Sequence, residues 1–286
     1  MYFIELFTSK EIPERDFLFF YEDFNCVFTQ YEEKDGYKVE IIFSKRDDID
    51  FFINFCNNSF DLKGNLLASL VENPTIKTFK SEEADNWIKF LPPVSVCSNY
   101  KIVSPWDSTR SIDEIVINPS IAFGTGHHET TSSCLELLLK IKHNLSSEEK
   151  IDSVLDIGTG SGILSIFCLK VFKSKIIGID NDYNAIDQAR KNLRLNPSLP
   201  NIDFRLEELD SINHTFDLII ANISIEYLLL NIHKMSERLN PNSFLLISGF
   251  LFMRISSMNF LLIKEKFSIM SIIHKNDWIS MVIKKK

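Results

Sequence analysis

One apolar segment of this chain runs straight into three alternate glycines and then into a helix-like stretch. The glycines Gly158, Gly160 and Gly162 close the segment 152–162, and the next apolar run ends at Asp180. A glycine turn between a strand and a helix lets the backbone approach a nucleotide-like ligand closely, and a carboxylate at the tip of the second strand can hold a ribose. The pattern predicts a parallel sheet with a ligand site at the carboxyl ends of its strands; a tight turn that binds nothing is the alternative.

The spacing of these glycines indicates which ligand the turn would accept. A dinucleotide fingerprint reads G-x-G-x-x-G and holds a pyrophosphate at a helix N-terminus, whereas this chain reads G-x-G-x-G with Asp156 two residues before the first glycine. A carboxylate there would repel a pyrophosphate and could pair with an ammonium group. S-adenosylmethionine carries an ammonium, a sulfonium and a ribose but no phosphate. We therefore expect S-adenosylmethionine as the cofactor, with Asp156, Gly158, Gly160 and Asp180 in its site.

Composition limits the class of protein. The chain has 286 residues, of which 45% are apolar, enough for two domains with a sizeable core. No run approaches the ~20 apolar residues that a membrane span needs, and the N-terminus does not read as a secretory signal. The five cysteines are scattered and form no C-x-x-C pair. Reduced thiols in a cytoplasmic protein are the expectation, without a membrane partner.

The net charge of −8 is placed unevenly along the chain. Residues 1–80 hold 15 acidic and 9 basic side chains, so most of the excess lies in this segment. An acidic segment disfavours direct binding of nucleic acid and suits a basic protein partner. A solubilising surface with no partner explains the same count equally well.

The order of apolar segments predicts two domains. Strand-like segments at 2–7, 25–31, 37–43 and 74–79 and helix-like segments at 11–22 and 47–58 alternate in the order of a ferredoxin-like α+β domain over residues 1–80. Residues 81–105 are expected to form a linker that leads into a short hairpin. In residues 106–286, apolar strands at 153–157, 175–179, 216–221 and 243–248 alternate with helices at 131–143, 162–172, 183–195 and 225–239. This alternation is typical of a Rossmann-like, doubly wound α/β sheet, and segments 266–274 and 277–284 add a terminal strand pair.

A second group of chemically capable residues lies just upstream of the glycine turn, in Ala122-Phe123-Gly124-Thr125-Gly126-His127-His128-Glu129-Thr130-Thr131. We expect Phe123 and Gly126 to belong to a loop that folds over the cofactor, and Thr130 or Thr131 to cap the following helix. His127 and His128 resemble metal ligands, but adjacent side chains rarely reach one ion and no H-E-x-x-H spacing follows, so no metal is predicted. A loop that never contacts the ligand is the alternative.

A third candidate lies where the apolar strand 216–221 ends, at Asn222. Its amide can accept a hydrogen bond from a cofactor or substrate amine and can also donate one. A strand-end turn asparagine without such a role is the alternative. Glu207 or Glu208 could receive an adenine amino group, and the sequence does not choose between them or exclude a solvated pair.

These segments together resemble the PrmA family of ribosomal protein L11 methyltransferases over nearly the full chain. The most specific match is the segment 122–131, which is similar to the family's A-F-G-T-G-T-H-P-T-T signature. Further matches are Ala221-Asn222-Ile223, Ser248-Gly249, Trp278, Trp87 and Pro105-Trp106. The resemblance implies a class I methyltransferase domain that contacts S-adenosylmethionine through Thr131, Gly158, Asp180 and Asn222. It also implies that the N-terminal domain recognises the substrate.

The chain departs from the family pattern at three places. Asn118-Pro119-Ser120 replaces Asp-Pro-Gly, His127-His128-Glu129 replaces Thr-His-Pro, and Ser224-Ile225-Glu226 follows the strand-end asparagine. None removes a side chain that the predicted cofactor site needs. Glu129 introduces a carboxylate beside the loop that is expected to close.

The expected reaction is methyl transfer to lysine side-chain amines, and possibly an N-terminal amine, of ribosomal protein L11, with no general base assigned. Another lysine-containing protein is the main alternative substrate. Glutamine methylation is disfavoured because Asn222-Ile-Ser-Ile225 lacks the Asn-Pro-Pro-Tyr signature of those enzymes, and RNA methylation is disfavoured by the charge. A scaffold that binds the cofactor without catalysis is the alternative from another class.

Overall fold

A computed structural model describes residues 92–97, 100–109, 111–119, 126–146 and 148–285 in full, together with four strands of the preceding segment. The chain divides into two compact units, Met1–Phe90 and Leu91–Lys286.

The first unit contains a four-stranded sheet. Its strands are β1 (Tyr2–Thr8), β2 (Cys26–Glu33), β3 (Gly36–Phe43) and β4 (Glu72–Thr78), in the order β2-β3-β1-β4. Each neighbouring pair is antiparallel, and Glu33 pairs with Gly36 at the hairpin. Strands therefore lie at all four predicted places. The predicted helices 11–22 and 47–58, and Trp87, lie outside the described residues.

The second unit is built on a seven-stranded, mostly parallel sheet, as predicted. Its strands are β8 (Ser153–Ile157), β9 (Lys175–Asp180), β10 (Asp203–Leu206), β11 (Phe216–Asn222), β12 (Leu239–Leu251), β13 (Phe267–Lys275) and β14 (Trp278–Lys285). The spatial order is β10-β9-β8-β11-β12-β14-β13. Six strands run in the same direction, and β14 runs in the opposite direction between β12 and β13. The strand order reverses between β8 and β11, and ligands of such sheets bind at this switch point.

Five helices are described around this sheet, and each side of the sheet has a buried core. They are α1 (Glu129–Asn144), α2 (Ile163–Phe172), α3 (Tyr183–Arg194), α4 (Ile225–Glu237) and α5 (Ile255–Lys264). Val154 packs into a cluster with residues of α1, α2 and α3, whereas the next residue, Leu155, packs with α4 and α5. Successive strand residues point to opposite faces, so an unbroken apolar strand needs helices on both. None of the described helices combines the length and apolarity that crossing a membrane requires.

Three further short strands, β5 (Val94–Val96), β6 (Tyr100–Val103) and β7 (Glu114–Val116), form a small sheet in the second unit. The antiparallel pair β5–β6 spans 94–103 and so lies inside residues 81–105, which were expected to form a linker that leads into a short hairpin.

Two sequence predictions were incomplete. Strand β12 extends well beyond 243–248 on both sides, and its pairing with β11 skips from Leu239 to Phe244 around Pro241. A proline has no N–H for the ladder, and here it lies in the interval where the ladder is interrupted. Helix α5 was not predicted, although Ile255, Met258 and Leu262 recur at helical spacing and pack into the core.

Two asparagines, Asn192 in α3 and Asn196 just after it, fasten β7 and the segment that follows it to the rest of the unit. The fully buried Asn192 accepts from the backbone N–H of Asn118 at 2.9 Å and donates to the carbonyl of Ser161, in the glycine turn, at 2.8 Å. Asn196 exchanges two hydrogen bonds with the backbone of Val116, at 2.9 and 2.8 Å. Asn196 thus pairs with the outer edge of β7, and Asn192 pairs with the segment after β7, so both satisfy backbone groups beyond the β6–β7 ladder.

We predict that Asn192→Ala lowers the free energy of unfolding by about 2 kcal/mol, because it removes the side chain that pairs two backbone groups. Urea denaturation of the full chain measures this. Lys191→Ala, on the exposed side of the same helix in an ion pair with Asp187, should cost less than about 0.5 kcal/mol. If both variants lose the same free energy of unfolding, the hydrogen bonds of the Asn192 side chain contribute nothing beyond helix propensity.

Candidate functional site

The glycine turn between β8 and α2 leaves no room for a side chain at two of its three glycines. Gly158, Gly160 and Gly162 have φ values of +67°, +53° and +78°. A Cβ on Gly158 would lie 3.0 Å from Cδ1 of Ile223, and one on Gly162 would lie 3.0 Å from Cβ of Ala189. Positive φ and close packing both require glycine here. The turn therefore presents its backbone at the switch point.

Asp180, at the end of β9, is joined to this turn. Its Oδ2 accepts a hydrogen bond from the backbone N–H of Gly160 at 3.0 Å, and its Oδ1 accepts from the N–H of Asp182 at 3.0 Å. A carboxylate has about four lone-pair sites, so each oxygen can accept once more. Asp180 is half-buried and held in a fixed orientation, which suits a carboxylate that receives two neighbouring hydroxyl groups.

Asp156 lies beneath the turn. Its side chain is 1% exposed, and Oδ2 accepts hydrogen bonds from the hydroxyls of Thr159 at 2.8 Å and Ser165 at 2.6 Å. Burial raises the pKa of the Asp156 carboxyl, and the two hydroxyls oppose that rise only in part. The structure thus gives this carboxylate two hydroxyl partners that brace the turn, and its contact with an ammonium group stays a prediction.

Asn222 and Thr131 meet on the other side of the switch point. Asn222 ends β11, and its Nδ2 lies 3.5 Å from Oγ1 of Thr131, which is buried in the first turn of α1. The next residue, Ile223, donates its N–H to the carbonyl of Ser248 at 3.2 Å. Residues that are 91 positions apart in the chain therefore form one wall of the site.

The N-cap of α1 is His128, so the prediction that Thr130 or Thr131 caps this helix was wrong. Nδ1 of His128 accepts from the backbone N–H of Thr130 at 3.3 Å and lies 2.8 Å from its hydroxyl. An imidazole can replace the usual hydroxyl cap because its unprotonated nitrogen is an acceptor at the same reach. His127 donates from Nε2 to the carbonyl of Pro92 at 2.8 Å.

Of the two residues predicted to lie in a loop over the cofactor, the structure describes Gly126 but not Phe123. Gly126, with φ of +90°, is buried, and a Cβ there would lie 3.3 Å from Cδ1 of Ile163, the first residue of α2. It therefore packs against the helix that the glycine turn begins, and its contact with the cofactor stays a prediction. Phe123 lies outside the described residues, as does the rest of the segment 120–125.

Two exposed apolar side chains beside Asp180 were missed by sequence reasoning. Tyr183, the first residue of α3, is 66% exposed, and Leu206, which pairs with Asp180 across β9 and β10, is 52% exposed. Tyr183 closely follows the carboxyl end of β9, and Leu206 is the last residue of β10. These positions at the ligand-binding edge of the sheet are the signal that could have identified them. Apolar surface beside a hydroxyl-binding carboxylate suits the base of a nucleoside.

Neither candidate for the adenine amino group is distinguished by the geometry. Glu207 lies 3.7 Å from the guanidinium of Arg205, and Glu208 is exposed.

The described site residues fit S-adenosylmethionine. Asp156 and Asp180 supply negative charge, Thr131 and Asn222 supply neutral polar groups, and the glycine turn orients Asp180 through the N–H of Gly160. None of these side chains is basic, so the set favours a cationic, phosphate-free nucleoside over a dinucleotide.

Gly249 controls how closely β12 approaches the Asn222–Ile223 junction. Its φ is +91°, and a Cβ there would overlap the carbonyl oxygen of Ile223. We predict that Gly249→Ala lowers the free energy of unfolding by at least about 2 kcal/mol, measured by urea denaturation, because strain and overlap add. Asn242→Gly is the matched control, since Asn242 is an exposed residue of the same strand with φ of +62° and glycine should relieve it. An alanine variant as stable as the parent would show that the junction can move freely.

The raised pKa of Asp156 predicts a pH-dependent difference in stability. The ordinary pKa of this carboxyl is 3.8, and the folded protein raises it. At pH values between these two pKa values, Asp156 binds a proton more tightly in the folded state than in the unfolded chain. Stability contributed by this group therefore falls as pH rises through that window. Asp156→Asn does not titrate, so its stability relative to the parent protein should increase from pH 4.5 to pH 7.5. Urea denaturation at both values tests this, and a difference that is constant with pH would contradict it.

Comparison with known proteins agrees with this geometry. The family model described as ribosomal protein L11 methyltransferase (PrmA) matches residues 14–286. The ribosomal protein L11 methyltransferase of Pelobacter propionicus is 34% identical over 218 residues, covering 74% of this chain and 70% of the relative. The ribosomal protein L11 methyltransferase of Bacillus licheniformis is 33% identical over 218 residues, which cover 74% of this chain and 68% of the relative.

A solved structure shows the same fold. The crystal structure of ribosomal protein L11 methylase from Lactobacillus delbrueckii subsp. bulgaricus superposes with a TM-score of 0.60 and 26% identity, covering 68% of this chain and all of that chain. Together with the switch-point site, these matches show that the chain belongs to the ribosomal protein L11 methyltransferase (PrmA) family of S-adenosylmethionine-dependent methyltransferases.

Proposed function

We propose that this protein transfers methyl groups from S-adenosylmethionine to lysine side-chain amines, and to an N-terminal amine, of ribosomal protein L11. The observation that carries this proposal is the set of carboxylate and amide side chains around the glycine turn, in a chain whose relatives are named for that substrate.

The cofactor site is proposed to comprise eight residues. They are Phe123, Gly126, Thr131, Asp156, Gly158, Gly160, Asp180 and Asn222. Asp180 would accept from the ribose hydroxyls, since its two oxygens each retain acceptor capacity. Tyr183 and Leu206 would provide apolar surface for the base. When bound, S-adenosylmethionine supplies a methyl group made electrophilic by its sulfonium.

The contribution of the chain's own residues is to orient the incoming amine. Nδ2 of Asn222 faces Thr131, which leaves its carbonyl oxygen to accept from an amine N–H and so to direct the nitrogen lone pair. The amine must be uncharged to react, and exclusion of water from the site favours that form. No general base is assigned, and water can accept the proton.

The division of labour between the two units is part of the proposal. Residues 1–80 would form a ferredoxin-like domain that recognises the substrate, 81–105 a linker, and 106–286 the methyltransferase domain. The fully antiparallel order β2-β3-β1-β4 supports the ferredoxin-like assignment, since that fold has the same order. The 15 acidic and 9 basic residues of the first 80 support a basic protein partner without direct contact to nucleic acid. The scattered cysteines, which form no C-x-x-C pair, support a location in the cytoplasm.

The decisive experiment is mass spectrometry of purified ribosomal protein L11 after incubation with this protein and S-adenosylmethionine. We expect mass gains in steps of one methyl group, with fragment spectra that place them on lysine or the N-terminal amine. Asp180→Ala should weaken cofactor binding about 10- to 100-fold, because hydrogen bonds to a charged group are lost, and should abolish the gain at low cofactor concentration.

Asp187→Ala is the matched control, since Asp187 lies on α3 in a surface ion pair with Lys191 and should leave methylation unchanged. Cofactor binding without any mass gain would reject L11 as the substrate and favour another basic protein. Gains that survive in the Asp180 variant with unchanged affinity would reject the assigned site.

A further inference from the structure

The first turn of α1 is held by the turn between β13 and β14. Nδ2 of Asn276 donates to Oε1 of Glu129 at 2.8 Å, and Nζ of Lys275 donates to Oγ of Ser132 at 3.1 Å. The imidazole of His128 packs edge-on against the indole of Trp278, with 4.9 Å between ring centroids. Three residues within positions 275–278 of the terminal hairpin therefore fix where α1 begins.

The cap that His128 forms requires a neutral imidazole. Nδ1 accepts from the N–H of Thr130, and a protonated ring has no acceptor nitrogen. Protonation would also place a positive charge at the N-terminus of α1, where the unpaired backbone N–H groups already carry partial positive charge. Both effects oppose the ordered first turn.

The surroundings of His128 favour the neutral form. Burial lowers the pKa of the imidazole, and Glu129, whose Oε2 lies 4.0 Å from Nε2, offsets that in part. The other Glu129 oxygen is engaged by Asn276. At the turn of the facing hairpin the titratable residues are His274, whose ring stacks on Phe252, Lys275, which also pairs with Glu136, and the exposed Asp277.

The same turn carries a proposed cofactor ligand. Thr131 lies three residues after the cap, and its hydroxyl is 3.5 Å from Nδ2 of Asn222. An ordered first turn is thus needed to place Thr131 against the end of β11.

We propose that His128 is a positioning residue whose neutral imidazole orders the first turn of α1 for cofactor binding, so that protonation of His128 weakens the affinity for S-adenosylmethionine. The inference rests on the proposed function, because it requires the cofactor to bind beside Thr131 and Asn222. The direction of the pH dependence follows from linkage. The affinity for S-adenosylmethionine is constant while the ring of His128 is neutral, and it falls as pH drops through the pKa of His128, by up to about tenfold per pH unit.

Titration calorimetry of the full chain with S-adenosylmethionine from pH 4.5 to 8.5 tests this, because the lowered pKa of His128 moves the decline below pH 6.5. His128→Asn should bind nearly as well as the parent protein at pH 8 and lose the decline at low pH, because an asparagine caps helices without titrating. His128→Ala should bind about fivefold more weakly at pH 8, as expected for a lost cap. His127→Asn, the matched control at the neighbouring histidine, should keep the parent pH profile.

The outcomes separate this inference from the proposed function. A parent protein that binds no S-adenosylmethionine at any pH would refute the proposed cofactor site. Binding that is independent of pH, or a decline that persists unchanged in His128→Asn, would overturn the role of His128 and leave the proposed function standing. Circular dichroism at each pH restricts the comparison to folded protein, and the asparagine variant decides the question if the alanine variant does not fold.

Discussion

The positive φ angles at Gly158, Gly160 and Gly162 turn the chain from β8 into α2, and close packing at Gly158 and Gly162 excludes a side chain there. Much else in the site depends on this turn. Gly160 donates to Asp180 and thereby fixes the carboxylate at the end of β9, while the carbonyl of Ser161 receives the buried amide of Asn192. A single backbone conformation thus aligns two strand ends and the segment after β7.

The electrostatics of the turn follow from what lies beneath it. Asp156 is buried with hydroxyl partners, so its negative charge is only partly compensated within the described residues. Such a carboxylate disfavours phosphate and favours a cation above it. Membership of a methyltransferase family agrees with this preference, since the cofactor is a cation without phosphate.

The opposite wall of the site depends on contacts between distant parts of the chain. Gly249 allows β12 to approach the Asn222–Ile223 junction, and the β13–β14 turn holds the first turn of α1, which carries Thr131. Because these contacts join the end of the chain to its middle, changes in the terminal hairpin can alter the cofactor site without touching it.

Local sequence was enough to determine the alternation of strands and helices, the glycine turn, Asp180 at its strand end and Asn222 at another, because each depends on apolar periodicity or on glycine itself. Helix α5 was missed by sequence reasoning, although Ile255, Met258 and Leu262 repeat at helical spacing, and local sequence did not determine the extent of β12 across Pro241. It also left open which residue caps α1, how Gly249 approaches Ile223, and which apolar side chains flank Asp180. The tertiary structure decided these because they depend on which distant residues the fold brings into contact: His128 with Trp278, Gly249 with Ile223, and Leu206 beside Asp180.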